Sequence, residues 1–217
     1  MSVRGRLLIL DYLISHYLEL LRALVEHIEL SATSLFLASL IALPLGYWLS
    51  RSQLVSDAVL GALSILYAIP SMALLALLVP VFGLGNTSAI VALVAYAQFI
   101  LVRNVVLGFR SVDPSIVEVG KGMGLSPLQL FCRVEFPLAL PMLIGGLRIA
   151  TISVIAIASL AAWINAGGLG NLLFEGIYQN HLPKIFWGSL LVSGLGLSME
   201  LLLLDLEKHA LQEAKIG

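Results

Sequence analysis

Long stretches without charge organise this chain. Residues 30–50 carry no charge before Arg51, residues 58–102 none before Arg103, and residues 149–174 none before Glu175. Residues 185–204 form a fourth stretch interrupted only by Glu200. A helix needs about 20 mainly apolar residues to cross the hydrocarbon core of a bilayer, so the stretch 58–102 is too long for one crossing. The turn signal "FGLGNTS" at 82–88 divides it into spans near 58–81 and 87–109. The span containing 149–174 begins earlier, near Pro141. The pattern predicts an all-α polytopic membrane protein with five transmembrane helices. Ahead of them, residues 6–29 place apolar side chains at helical spacing among Asp11, Glu19, Arg22, Glu26 and Glu29. That alternation predicts an amphipathic helix lying at the interface. The chain divides into an interfacial segment (1–29), a transmembrane domain (30–205) with a polar loop at 113–137, and a tail (206–217).

Composition agrees: 59% of residues are hydrophobic and 12% charged, against about 25% charged in soluble domains. Lys and Arg concentrate on the cytoplasmic side of membrane proteins. With the N-terminus outside, Arg51, Arg103, Arg110, Lys121, Arg133, Arg148, Lys208 and Lys215 fall on that side, and Arg4, Arg6, Arg22 and Lys184 do not. The C-terminus is then cytoplasmic. "MSVRGRLLIL" begins like a leader, but Asp11, His16 and Glu19 interrupt the apolar run, so it reads as part of the inserted chain. The net charge of −1 gives no footing for nucleic acid. The lone Cys132 reads as a small buried hydrophobe and excludes an internal disulfide framework. His16, His27, His181 and His209 lack metal-ligand spacing, and no catalytic motif is present. The expectation is a protein that is not itself an enzyme and holds no metal or cofactor.

The polar loop is heavily punctuated. Asp113–Pro114 sets a helix cap followed by proline at the first helical position. Gly122 and Gly124 end that helix, and Ser126–Pro127 starts a second, with Gln129 three residues after the cap. Pro137 and Pro141 are expected to reset the chain before it re-enters the membrane. The result is two short rigid helices carrying Leu125, Leu128, Leu130 and Phe131. They serve either to dock a cytoplasmic partner or to pack beneath the membrane domain.

The spacing within this loop resembles the signature of the integral-membrane subunits of bacterial ABC importers: E-A-A, three residues, G, nine residues, I-x-L-P. Here it reads Glu118-Val119-Gly120, then Gly124, then Val134-Glu135-Phe136-Pro137, with small or apolar replacements at four positions. Over about residues 27–205 the chain looks most like the osmoprotectant permeases, through "IPSMALLALLVPVFGLGN" (69–86), "GKGMG" (120–124), "RVEFPLALP" (133–141), "GGLRIAT" (145–151) and "AGGLGNLLF" (166–174). The "AGGLG" element is shared with methionine importer permeases. The resemblance implies a type I importer fold in a bacterial cytoplasmic membrane. It implies a coupling loop in which Glu118, Gly120, Gly122, Gly124, Ser126, Leu128, Phe131 and Pro137 meet cytoplasmic ATPase subunits. ATP and Mg would be bound by those subunits, a substrate-binding protein would deliver from outside, and a second permease subunit, identical or paralogous, would complete the pore within membrane lipid. The implied cargo is a small quaternary ammonium compound such as glycine betaine, carnitine or choline, moved by alternating access. A methionine or amino-acid importer is the alternative within transport, and an intramembrane enzyme or assembly factor the alternative outside it.

Three further sets of residues carry expectations. Pro70 and Pro80 should kink the second span, and Pro44 the first, near a pathway to which Tyr67, Tyr96 and Phe99 offer aromatic rings. Gly167, Gly168 and Gly170 form a turn beyond the fourth span, an outer gate or an ordinary tight turn; no lysine follows as a phosphate-binding loop requires. Arg103, Arg148 and Glu200 lie near cytoplasmic span ends, where they snorkel or pair, or else line the pathway.

Overall fold

A computed structural model describes the backbone of residues 3–216 and the side chains of residues 8–212. The elements run α1 (Val3–Ser50), α2 (Gln53–Ala68), α3 (Ser71–Phe82), α4 (Asn86–Arg110), α5 (Pro114–Gly122), α6 (Pro127–Leu130), a π turn (Phe131–Glu135), α7 (Phe136–Ala161), a 3₁₀ turn (Ala162–Ile164), α8 (Leu169–Tyr178) and α9 (Leu182–Ile216). No strand occurs among the described residues. Four helices are long and apolar enough to cross a membrane, and the bent pair α2–α3 makes a fifth span.

Helix α4 is central, packed on α1 and α7 and covered by α2 and α3. The contact layers are rich in small side chains: Ala38 and Ala42 of α1, Ala89, Ala92 and Ala97 of α4, Ala150 and Ala158 of α7 are all buried. Small residues let backbones approach closely, which is how helices gain packing energy where lipid removes the hydrophobic drive between them. Large apolar side chains such as Phe36, Leu40, Leu77, Leu201 and Leu202 point outward instead.

Several features differ from the sequence pattern. The expected interfacial segment and first span are one helix, with its only non-helical backbone at His16 (φ −125°, ψ 21°) and no break at 29/30 or at Pro44. One face of its N-terminal half is covered by protein, where Tyr12, Leu20 and Ala23 pack with Leu169, Leu172, Trp187 and Leu191, while Ile14, Leu18 and Leu21 stay exposed. The Trp187 indole N–H also donates to the Ile9 carbonyl (2.9 Å). Residues 8–50 extend about 65 Å at 1.5 Å per residue, twice the hydrocarbon core of about 30 Å. The second span breaks rather than kinks: α2 and α3 meet at 94°, because Ile69 ahead of Pro70 is held extended (φ −65°, ψ 130°). Pro80 continues inside α3.

The fourth span ends at Ala161, and residues 165–174 form a turn and the start of α8. Pro137 and Pro141 do not stop the chain, which runs helically from α6 into α7. Pro137 removes the N–H that would reach the Arg133 carbonyl, and the π turn immediately before it absorbs that loss. Cys132, in the same turn, is exposed rather than buried.

Candidate functional site: the cytoplasmic loop and its anchors

The loop is rigid because its helix ends are satisfied locally. Asp113 accepts the Ser115 amide (2.8 Å), and that backbone N–H holds the Asp113 carboxyl below the ordinary carboxylate range. Helix α5 closes with Met123 N–H on Val119 O (2.9 Å) and Gly124 N–H on Lys121 O (2.9 Å). Gly124 then takes φ +79°, the left-handed conformation that a side chain disfavours. At α6 the Ser126 hydroxyl accepts the Gln129 amide (3.4 Å) while the Gln129 side chain accepts the Ser126 amide (2.9 Å), a complete capping box. Gly120 is where the two short helices touch: a Cβ there would stand 2.7 Å from a Leu130 methyl carbon.

The loop has two sides. Outward, Val119, Met123 and Leu128 are 62%, 76% and 72% exposed, and Glu118, Gly122, Ser126 and Pro137 are exposed around them. Capped helices therefore hold three large apolar side chains in the open. Inward, Phe131 packs edge-on against Tyr47 (4.9 Å) and beside Phe109 (5.8 Å) and Phe136 (5.7 Å). Glu135 is 5% exposed. It accepts from the Tyr47 hydroxyl (3.0 Å) and, through both oxygens, from the Arg51 guanidinium (2.9 and 2.7 Å). Arg51 donates as well to the Tyr47 hydroxyl (2.5 Å). A buried carboxylate is costly unless paired and hydrogen-bonded, and its partners are Tyr47 at the end of α1 and Arg51 in the turn just after it. A cavity of about 230 Å³ lies between this anchor and Val117, Lys121 and Leu125. The sequence pattern passed over this anchor: Glu135 stood only at a variable position of the loop signature, and Arg51 as the end of an apolar run.

At the opposite face the glycine turn rests on α1. Gly168 N–H donates to Glu26 (3.1 Å), and Glu26 also pairs with Arg22 (3.0 Å). His27, fully buried, donates from Nε2 to the Ile155 carbonyl (3.1 Å). A Cβ at Gly168 would lie 3.0 Å from the His27 ring, and one at Gly170 would collide with the Ser159 carbonyl. Gly167 borders a polar cavity of about 390 Å³ with Glu26, Glu29, Thr33, Asn86 and Asn165.

The structure gathers the aromatic set at the bend in the second span. Tyr67 lies 5.8 Å from Tyr96 and 5.2 Å from Phe99. The Tyr96 hydroxyl donates to the Ile69 carbonyl, which the break at Pro70 leaves without a helical partner. Arg148 pairs with Glu200 (2.5 Å) and also with Glu207 (3.0 Å), a residue that sequence spacing did not single out. Gly145 makes room for that second carboxylate, since a Cβ would stand 3.1 Å from it. Arg103 is exposed and makes no ion pair among the described residues.

Residues 35–209 match the family model described as binding-protein-dependent transport system inner membrane component. A carnitine transport permease protein of Listeria monocytogenes is 37% identical over 196 residues, 88% of this chain and 90% of the relative. A choline transport system permease protein of Bacillus subtilis (strain 168) is 36% identical, covering 88% of each. An osmoprotectant import permease protein of Salmonella typhimurium is 36% identical over 82% of this chain and 85% of its own length. Among solved structures, the inward-facing MetNI methionine ABC transporter superposes with a TM-score of 0.79 over 97% of this chain and 99% of the matched one, at 22% identity, a likeness of fold.

Proposed function

This chain belongs to the binding-protein-dependent transport system inner membrane components, and from that premise we propose that it carries a small quaternary ammonium osmoprotectant across the membrane in an ATP-driven importer. It is a multi-pass inner-membrane protein with the type I importer permease fold. The observation that carries the mechanism is the capped cytoplasmic loop, presenting Val119, Met123 and Leu128 outward while Glu135 and Phe131 fasten it inward. That patch fits a groove on a separate ATPase subunit, which binds ATP and Mg and supplies the hydrolysis. The ATPase drives the switch by binding the two states of the membrane domain with different affinity. A substrate-binding protein loads cargo from outside, and a second permease subunit closes the pathway.

The cargo assignment rests on relatives named for carnitine, choline and osmoprotectants at 36–37% identity over most of the chain. A positively charged ammonium also suits the aromatic rings at the bend of the second span by cation–π attraction. The test is purification from native membranes followed by reconstitution with the co-purifying ATPase and binding protein. Uptake of labelled glycine betaine, carnitine or choline in preference to methionine is the expected result. Absence of an ATPase would overturn the transport reading, and preferred methionine uptake would overturn the cargo.

A further inference from the structure

Helix α1 is fastened at both faces of the protein, to the joint of the cytoplasmic loop at one and to the glycine turn at the other. At the cytoplasmic end, Tyr47 and Arg51 hold Glu135, the last residue of the π turn that joins the loop to α7. At the outer end, Glu26 holds the Gly168 amide and His27 the Ile155 carbonyl. The helix between Glu26 and Tyr47 has no non-helical residue, since the kink at His16 lies before both attachments. At 1.5 Å per residue they stand about 30 Å apart, the thickness of the hydrocarbon core.

We infer that α1 is a strut that passes displacement of the cytoplasmic loop to the outer glycine turn, with Glu135 and Glu26 as the positioning residues at its ends. The inference rests on the loop being the ATPase dock. Helix α7 also joins the two segments covalently, but it leaves the loop through the π turn, with Pro137 and Pro141 following, and an interrupted hydrogen-bond ladder bends more readily than a continuous one. Helix α1 also lacks one ladder bond, at Pro44, but keeps helical backbone from there to Ser50 with no π turn. The Glu135 clasp therefore keeps the base of α7 in register with α1 when the loop is pulled. Its tightness is specific: both carboxylate oxygens are engaged, the Tyr47 ring is wedged against Phe109 (4.8 Å) and Phe131 (4.9 Å), and Arg110 donates to the Leu49, Ser50 and Ser52 carbonyls at the end of α1. At the far end the turn backbone lies directly on the His27 ring, so little slack separates strut from turn.

The experiment uses the complete complex of this chain with its ATPase and binding protein in proteoliposomes, with labelled glycine betaine, carnitine and choline as probes. The reading is the number of substrate molecules imported per ATP hydrolysed, a ratio independent of how much complex is recovered. Glu135→Gln is expected to lower that ratio about tenfold, a change of about 1.4 kcal/mol in coupling free energy. Glu26→Ala, which removes the acceptor of the Gly168 N–H at the opposite face, is expected to lower it in the same way. Should Glu135→Gln fail to assemble, Tyr47→Phe loosens the clasp while keeping the ring, and should lower the ratio by less. An unchanged ratio in assembled Glu135→Gln, in Tyr47→Phe or in Glu26→Ala overturns the strut. Loss of ATPase binding or import in the unsubstituted complex overturns the transport reading instead, which separates the two failures.

Discussion

The cytoplasmic loop and the outer turn use the same residue types for opposite ends. Both break their helices with glycine, and both lie beside α1. In the loop, the residues around the break face outward, and Gly124 has open space where a side chain would go. In the outer turn the space is already filled: Gly168 lies on His27, Gly170 on the Ser159 carbonyl, and Leu169 and Leu172 are buried on Tyr12, Leu20 and Ala23. One region is finished within the chain, while the other is rigid but leaves apolar surface for a partner to cover. Rigidity alone therefore does not distinguish the two regions; what differs is the apolar surface that the loop leaves open.

Substitutions can break that contrast. The largest effect is expected at Gly170→Val, where the new side chain meets the Ser159 carbonyl and the Ala162 methyl. Overpacking against backbone should cost above about 3 kcal/mol, seen as loss of the monodisperse peak on size-exclusion chromatography of the solubilised protein. Leu128→Glu should leave that peak intact while weakening ATPase retention about tenfold or more, as removal of an apolar interface anchor does; pull-down against the ATPase measures it. Gly124→Val forces a β-branched residue into left-handed backbone, about 1–2 kcal/mol of strain. It should insert normally and lose ATPase retention through a misdirected α6, checked by the same pull-down.

The smallest effect concerns pH. The Asp113 carboxyl has a folded-state pKa below its unfolded value of about 3.9. Its cap is therefore fully present above that value and is lost as pH falls through the lower, folded one. Protection of the Ser115 amide from hydrogen exchange, corrected for intrinsic rates, should stay flat from neutral pH to about pH 4 and fall below it.

The loop's helix ends were legible residue by residue, because caps act locally: Asp113–Pro114, Ser126–Pro127 and Gln129 each bond within three positions. The number of spans was legible for the same kind of reason, since an uncharged stretch reports its own solvent. What sequence order hides is pairing between distant segments. Charges along residues 6–29 suggested a helix on the bilayer surface; that α8 and α9, more than a hundred residues later, cover one face of it while Leu10, Ile14 and Leu18 stay exposed could not be read from its own residues. Glu135 needed Arg51 and Tyr47 to acquire a meaning, and Arg148 needed Glu207 as well as Glu200. Pro70 announced a bend, but its 94° depended on what received the freed Ile69 carbonyl, the hydroxyl of Tyr96.

The exposed thiol of Cys132 also gives the protein a built-in reporter. The chain contains one cysteine, and it sits in the π turn between Phe131 and Arg133, at the junction of loop and membrane helix. A maleimide fluorophore or a nitroxide attached there needs no cysteine-free background in this subunit. Its signal reads the environment of the joint itself, in a chain whose amino-acid sequence is otherwise unaltered.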